Sequence, residues 1–198
     1  MRLDLRLTHR HLDQLWCQAV VAFLFKGDSL LTGYLSRLNE KLAGSLVPLI
    51  DRKFLTGKSD EILLIASQER IKADKLLFIG LGPVSSYSSE SLSYVMGRVS
   101  STLERLKLNE FGIMVPWGKE VEIDYVELIK SIIGNLVDYY FMSKGDAVDF
   151  LLKIILSVEE RFFDDLRSLE QQLRIYLNPI IDYSILVDES KRYIDGKI

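Results

Sequence analysis

Two stretches of this chain are apolar at almost every position, and the remaining pattern is arranged around them. Leu76, Leu77, Phe78, Ile79 and Leu81 are interrupted only by Gly80, and Ala19 to Phe25 contains no polar residue. Unbroken runs of this length are the mark of strands covered on both faces. Lys26-Gly27-Asp28-Ser29 closes the first and Gly80-Leu81-Gly82-Pro83 the second. Each is followed by a helical repeat, so the repeated unit is strand, tight loop, helix. Leu30, Leu31, Tyr34, Leu35, Leu38, Leu42 and Leu46 recur at steps of three and four and predict a helix that Pro48 ends or redirects. After the second run, Ser85, Ser86, Ser88 and Ser89 offer N-caps for a helix whose inner face is Leu92, Val95, Met96, Val99, Leu103 and Leu106.

The same reading extends to both ends. Arg2 to Leu7 alternates, with Leu3, Leu5 and Leu7 on one face, and predicts a half-buried strand at the edge of the sheet. Glu61 to Ala66 and Phe111 to Val115 read as strands, the latter closed by Pro116 and Gly118. Val126, Ile129, Ile132, Ile133, Leu136 and Val137 predict a helix that Gly145 terminates. Val148 to Leu156 is a further strand. Glu159 to Leu177 is a last helix, acidic at its start and basic later, as the helix dipole favours. The pattern from Asn178 onward assigns no element. Alternating strands and helices with hairpin-like breaks predict an α/β fold: one domain over 1–198, three α/β/α layers and a mixed sheet.

Composition narrows the function classes. The chain has 198 residues, 48% hydrophobic and 27% charged, with 25 basic and 28 acidic side chains for a net charge of −3. That balance suits an ordinary globular domain and gives no global field toward nucleic acid or an anionic membrane. No apolar run approaches the ~20 residues of a membrane helix. The single cysteine, Cys17, suits a reducing compartment, so the cytoplasm is the expected location. His9 and His11 lack a third ligand at metal-binding spacing and read as solvated turn residues. Gly57-Lys58-Ser59 ends like a P-loop, but Arg52 stands where its first glycine belongs, and a strand follows where a helix is needed. It reads instead as a turn joining two strands. No metal or cofactor site is assigned.

The order of elements comes with a set of residues: Ala43-Gly44, Phe54 ahead of Gly57-Lys58 and Glu61, the strand and loop from Lys75 to Gly82, and Gly134 followed by Tyr140 and Lys144. Together they resemble the N-terminal domain of the leucyl (cytosol) aminopeptidases, which is similar in fold to macro domains. The resemblance covers nearly the whole chain, and Ile79-Gly80-Leu81-Gly82 is its most specific piece. In that family the two-metal peptidase centre lies in a separate C-terminal domain, carried by a lysine, several carboxylates and an Asn-Thr-Asp-Ala-Glu-Gly-Arg stretch. None of these motifs occurs here. The expectation is a stand-alone, non-catalytic relative acting as an interaction, assembly or regulatory module. An N-terminal fragment of a complete aminopeptidase is the rival explanation.

Macro-domain kinship implies a second candidate, a pocket for ADP-ribose or another nucleotide at the carboxyl ends of the strands, with Gly80, Gly82, Ser85 and Ser86 as its loop. Under that reading Gly82→Val abolishes binding and leaves the fold intact. Against it, Pro83 removes a donor. Cys17-Gln18 and Phe25-Lys26-Gly27 stand where ADP-ribose-binding macro domains usually carry an aspartate and an asparagine-rich loop. A protein interface is the third candidate. Tyr139, Tyr140, Phe141 and Met142 are consecutive, and Phe162 and Phe163 adjacent, so not all can face one sheet; the expected partner is a second copy or another protein. The alternative is that the tail after Asn178 covers them.

Overall fold

Seven strands make one sheet in this computed structural model, which describes residues 1–27, 30–115, 124–144, 147, 149–159, 162 and 166–188. They are β1 (Arg2–Thr8), β2 (Ala19–Phe25), β3 (Ile62–Ala66), β4 (Lys75–Gly82), β5 (Glu110–Met114), β6 (Leu151–Ser157) and β7 (Asp182–Asp188). The spatial order is β3-β4-β2-β5-β6-β1-β7. Every pairing is parallel except β3 with β4, so the sheet is mixed. β2 and β4 lie inside the sheet with both faces covered, and this is why their sequences do not alternate.

Side chains on the two faces of these strands feed two cores. One holds Val21, Phe23, Leu77, Ile79, Phe111 and Ile154 against helices α3 (Ser89–Arg105), α4 (Tyr125–Lys144) and α5 (Leu166–Leu177). The other holds Val20, Ala22, Leu24, Leu76 and Phe78 against α1 (Tyr34–Lys41) and α2 (Leu46–Asp51). The result is the three-layer α/β/α arrangement. Specific polar contacts seat the layers. The Tyr34 hydroxyl donates to the Phe23 carbonyl. The Arg37 guanidinium grips the buried Asp13 carboxylate at 2.8 and 3.2 Å, tying α1 to the short 3-10 turn Leu12–Gln14. Among the described residues no helix is long and apolar enough to cross a membrane.

Several expectations are corrected. β1 is not an edge strand: the stretch after Asn178 forms β7, which pairs with β1 in register from Arg2↔Asp182 to Thr8↔Asp188. The helix expected from Leu30 to Pro48 is two helices. The chain breaks at Ala43 and Gly44, with φ of 52° and 78°, not at Pro48, which sits in the first turn of α2 where its missing N–H is not needed. The Gly57 turn joins α2 to β3 and not two strands. His9 and His11 are half-buried after β1 rather than fully solvated, with His9 Nε2 and His11 Nδ1 out of contact with water. Leu106, by contrast, packs against the three-helix core as expected, partly buried at the C-cap of α3. Pro116, Gly118, Gly145, Val148 and the acidic start of the last expected helix, apart from Glu159, lie outside the described residues.

Phe78 is fully buried near the middle of β4. Phe78→Ala should lower stability by about 3–5 kcal/mol, the usual cost of deleting a core aromatic side chain. A urea titration followed by circular dichroism reads this as a fall in midpoint at unchanged slope.

Candidate functional site

The crevice at the carboxyl ends of β2 and β4 is where an α/β sheet of this kind presents its loops. Here the approach is taken up by the chain's own segment Thr56–Glu61. The Gly82 N–H donates to the Gly57 carbonyl at 2.9 Å, and the Gly82 carbonyl accepts from Lys26 N–H at 2.8 Å. The Gly80 N–H donates to the Glu61 carbonyl at 2.8 Å. Both glycine amides of the expected ligand loop are therefore committed internally. The Glu61 side chain closes the segment on itself, accepting from the N–H groups of Thr56 and Gly57 at 2.8 and 3.1 Å and from the Thr56 hydroxyl.

Steric fit gives the same account. A Cβ on Gly80 would lie 1.9 Å from the Lys58 carbonyl oxygen. One on Gly82 would lie 2.2 Å from Ser59 Oγ, at a φ of +76° that L side chains rarely adopt. The glycines are small because residues some twenty positions earlier press on them. The expectation that Gly82→Val leaves the fold intact is accordingly corrected.

The rest of the loop diverges. Ser85 and Ser86 are exposed on the 3-10 turn Val84–Ser86, with Ser86 Oγ donating to the Pro83 carbonyl at 2.9 Å. Ser88 is the residue that caps α3, accepting from Ser91 N–H at 3.2 Å. Between them Tyr87 packs edge-on against Phe25, centroids 5.2 Å apart. Its hydroxyl is buried without a hydrogen-bond partner, and burial pushes its pKa up. Sequence reasoning did not single out Tyr87; an aromatic residue among four serines was the available signal.

The aromatic residues expected at an interface are not one patch. Tyr140 is 1% exposed, donates to the Leu108 carbonyl at 3.1 Å and stacks on Phe150. Tyr139 is half-buried and donates to Glu104 Oε2 at 2.9 Å, while Lys144 Nζ lies 2.9 Å from Oε1 of the same carboxylate. Lys144 and then Tyr139 hold the Glu104 carboxyl below its ordinary range. Phe162 stacks on Tyr125 with centroids 3.8 Å apart. Among the described residues of this set, Phe141, 54% exposed, and its neighbour Met142, 89% exposed, face outward. Phe163 lies outside the described residues.

Of the groups with chemical potential, Cys17 is half-buried with Sγ 3.1 Å from the Ala19 carbonyl oxygen, and burial pushes its pKa up to about 12. Among the described residues no three His, Cys, Asp or Glu side chains come together to hold a metal ion.

A family model, the N-terminal domain of the cytosol aminopeptidase family, matches residues 20–134. The chain belongs to that family. A probable cytosol aminopeptidase of Sulfurihydrogenibium sp. (strain YO3AOP1) is 23% identical over 150 residues, covering 73% of this chain and 29% of its own. The chain thus spans under a third of the length of that curated relative. A mutant tomato leucine aminopeptidase superposes with a TM-score of 0.60 at 13% identity, over 85% of this chain and 35% of that one. A Trypanosoma brucei macrodomain in complex with ADP-ribose superposes at 0.62 and 16% identity, over 84% and 68%. At these identities the superpositions establish a macrodomain-like fold.

Two measurements test this local account of the family member. Gly80→Ala should destabilise the protein by about 1–3 kcal/mol or more, the usual range for overpacking, because its methyl group meets backbone. A melting temperature equal to wild type would refute the close approach. Cys17, whose thiolate is disfavoured until far above neutral pH, should react with Ellman's reagent at pH 8 many times more slowly than a free thiol. Denaturant should restore the ordinary rate.

Proposed function

We propose that this member of the aminopeptidase N-terminal-domain family is a non-catalytic interaction or assembly module. The observation that carries the reading is the filled crevice: Gly57, Gly80 and Gly82 form a junction of backbone hydrogen bonds in which no amide is left for a substrate phosphate or carboxylate. The position's chemistry is spent on holding the loop before β3 against β2 and β4. The family's peptidase motifs have no counterpart in the sequence, and family membership favours the cytoplasm as the place where the module works.

A second reading, nucleotide binding, has one specific observation in its favour. The Tyr87 hydroxyl, buried beside Phe25 at the end of the same strands, has polar capacity that the described chain does not use. The macrodomain in complex with ADP-ribose shares the fold, and its ligand is the natural probe.

Purified protein given leucyl-p-nitroanilide with manganese or zinc should release no more nitroaniline than buffer. A metal-dependent rate would overturn the non-catalytic reading. Titration with ADP-ribose, ADP and AMP separates the two readings, because a ligand at a hundred times its dissociation constant stabilises the fold by about 2.7 kcal/mol. No thermal shift is expected at millimolar ligand; a shift of several degrees that Tyr87→Phe removes would establish the nucleotide reading.

A further inference from the structure

The two edges of the sheet are unlike each other. At β7 the rim is guarded: Arg174 Nη2 donates to the Ile185 carbonyl at 3.0 Å, and Asp182 and Asp188 place charge at both ends. At the opposite rim β3 reads Ile62-Leu63-Leu64-Ile65-Ala66, without a charge, proline or glycine, and none of its residues is fully buried. Leu64 is 40% exposed. Uncharged apolar edges are what folded proteins ordinarily avoid, since an edge strand presents unpaired N–H and C=O groups to any other strand.

The direction of those groups follows from the pairing with β4. The Glu61 carbonyl accepts from Gly80 N–H, and Ser67 N–H donates to the Asp74 carbonyl. The register between them runs from Ile62↔Ile79 to Ala66↔Lys75. In an antiparallel ladder alternate residues turn both backbone groups to the same neighbour, so Leu63 and Ile65 face β4. Ile62, Leu64 and Ala66 face outward, and among the described residues no strand meets them.

We propose that this edge of β3 is a self-association site, and that its occupant is β3 of a second copy, paired antiparallel about a two-fold axis through Leu64. That register sets Leu64 against Leu64 and Ile62 against Ala66, the residues with outward backbone groups, so each of them gives and takes one hydrogen bond. A two-fold normal to the sheet keeps each face on its own side. The side chains of Ile62, Leu64 and Ala66 of both copies thus share the α3 side, where exposed Tyr94 and the Arg98–Asp60 ion pair at 2.7 Å flank the strand. No like charges are opposed within the paired span. Asp60 and Gln68, with φ of 67° and 53°, turn the chain away at its two ends and limit the contact to the five residues of β3. With β7 guarded, pairing closes at two copies. A second copy meets this edge with an equally uncharged apolar strand, and the outward residues Ile62, Leu64 and Ala66 are self-complementary about Leu64. This supplies the proposed interaction role with a surface, and rests on that reading only for its biological meaning.

Sedimentation equilibrium up to a few hundred micromolar should show a species of twice the 22.7 kDa chain mass. Leu64→Lys sets two ammonium groups opposite one another and should weaken dimerisation roughly tenfold or more. Leu64→Pro removes an N–H that the single chain does not use and should give a monomer with a near-native melt. Amide exchange supplies the direct readout of register. Leu64 N–H should exchange more slowly as protein concentration rises, while Leu63 and Ile65, already bonded to β4, should not change. A wild-type monomer, an open-ended series of larger species, or a dimer whose Leu64 amide exchanges independently of concentration would each overturn the proposal. None of these outcomes bears on the aminopeptidase assay, so failure here is distinguishable from failure of the non-catalytic reading.

Discussion

The fold depends on the pairing of β2 with β4, two parallel strands buried on both faces. Their register from Ala19↔Lys75 to Leu24↔Gly80 sets which side chains reach which core. Val21, Phe23, Leu77 and Ile79 go to the α3–α4–α5 side, and Val20, Ala22, Leu24, Leu76 and Phe78 to the α1–α2 side. A slip of one residue would exchange the two sets and put Phe78 on the three-helix side, where β4 now presents Leu77 and Ile79. Parallel strands cannot be joined by a tight turn, so the pair forces the long crossover that α1, α2 and β3 occupy. The register shifts between Leu24 and Phe25, so that Phe25 pairs with Gly82. At that irregularity Lys26, Gly57 and Gly82 exchange backbone bonds and the crossover is locked.

This dependence explains what could be seen in the chain before its structure. Strands enclosed on both sides must be apolar throughout, so β2 and β4 are legible as runs, and α3 is legible because one face alone meets the sheet. β7 is not legible in the same way. Its buried contribution is Ile185 with Tyr183 and Val187 partly covered, set between Asp182 and Asp188, and its pairing partner β1 lies at the far end of the chain. Local pattern holds no record of so distant a pairing. The break between α1 and α2 was missed for a different reason. Leu42 and Leu46 keep the helical spacing across it and both are buried, because the turn at Ala43 and Gly44 returns the chain to the same core. Spacing records which residues are inside, not whether the backbone between them is continuous.

The candidate site shows the corresponding limit for function. Gly80 and Gly82 were visible as a place where something comes close to the backbone, and something does. What comes close is a through-space fact that local sequence does not hold: in the structure it is Lys58 at Gly80 and Ser59 at Gly82. The aromatic residues at the end of α4 divide for a comparable reason. On a helix, successive residues point about 100° apart, so Tyr140 enters the core while Phe141 and Met142 leave it. The sequence required a division but did not say where the sheet stood.

β1 carries the last step. Its alternation suggested an edge strand, yet it is paired on both sides, by β6 and β7. Alternation reports the two faces of a strand, whereas edge position concerns its two rims, and these are independent. Leu3, Leu5 and Leu7 are fully buried toward the three-helix side. On the other side, among the described residues, the second core ends at Ile155 of β6, and beyond it Arg2 and Arg6 are exposed and Asp4 half-buried. The adjacent strands answer with complementary polar groups: Asp182 lies 3.9 Å from Arg2, Ser184 donates to Asp4 at 3.2 Å, and on β6 Lys153 meets Glu110 of β5 at 3.4 Å. Exposed pairs of this kind contribute little stability each. Their effect is to keep most of this half-face hydrated, Leu186 at 53% exposure being its apolar exception, where among the described residues the second helical layer stops short of β1 and β7.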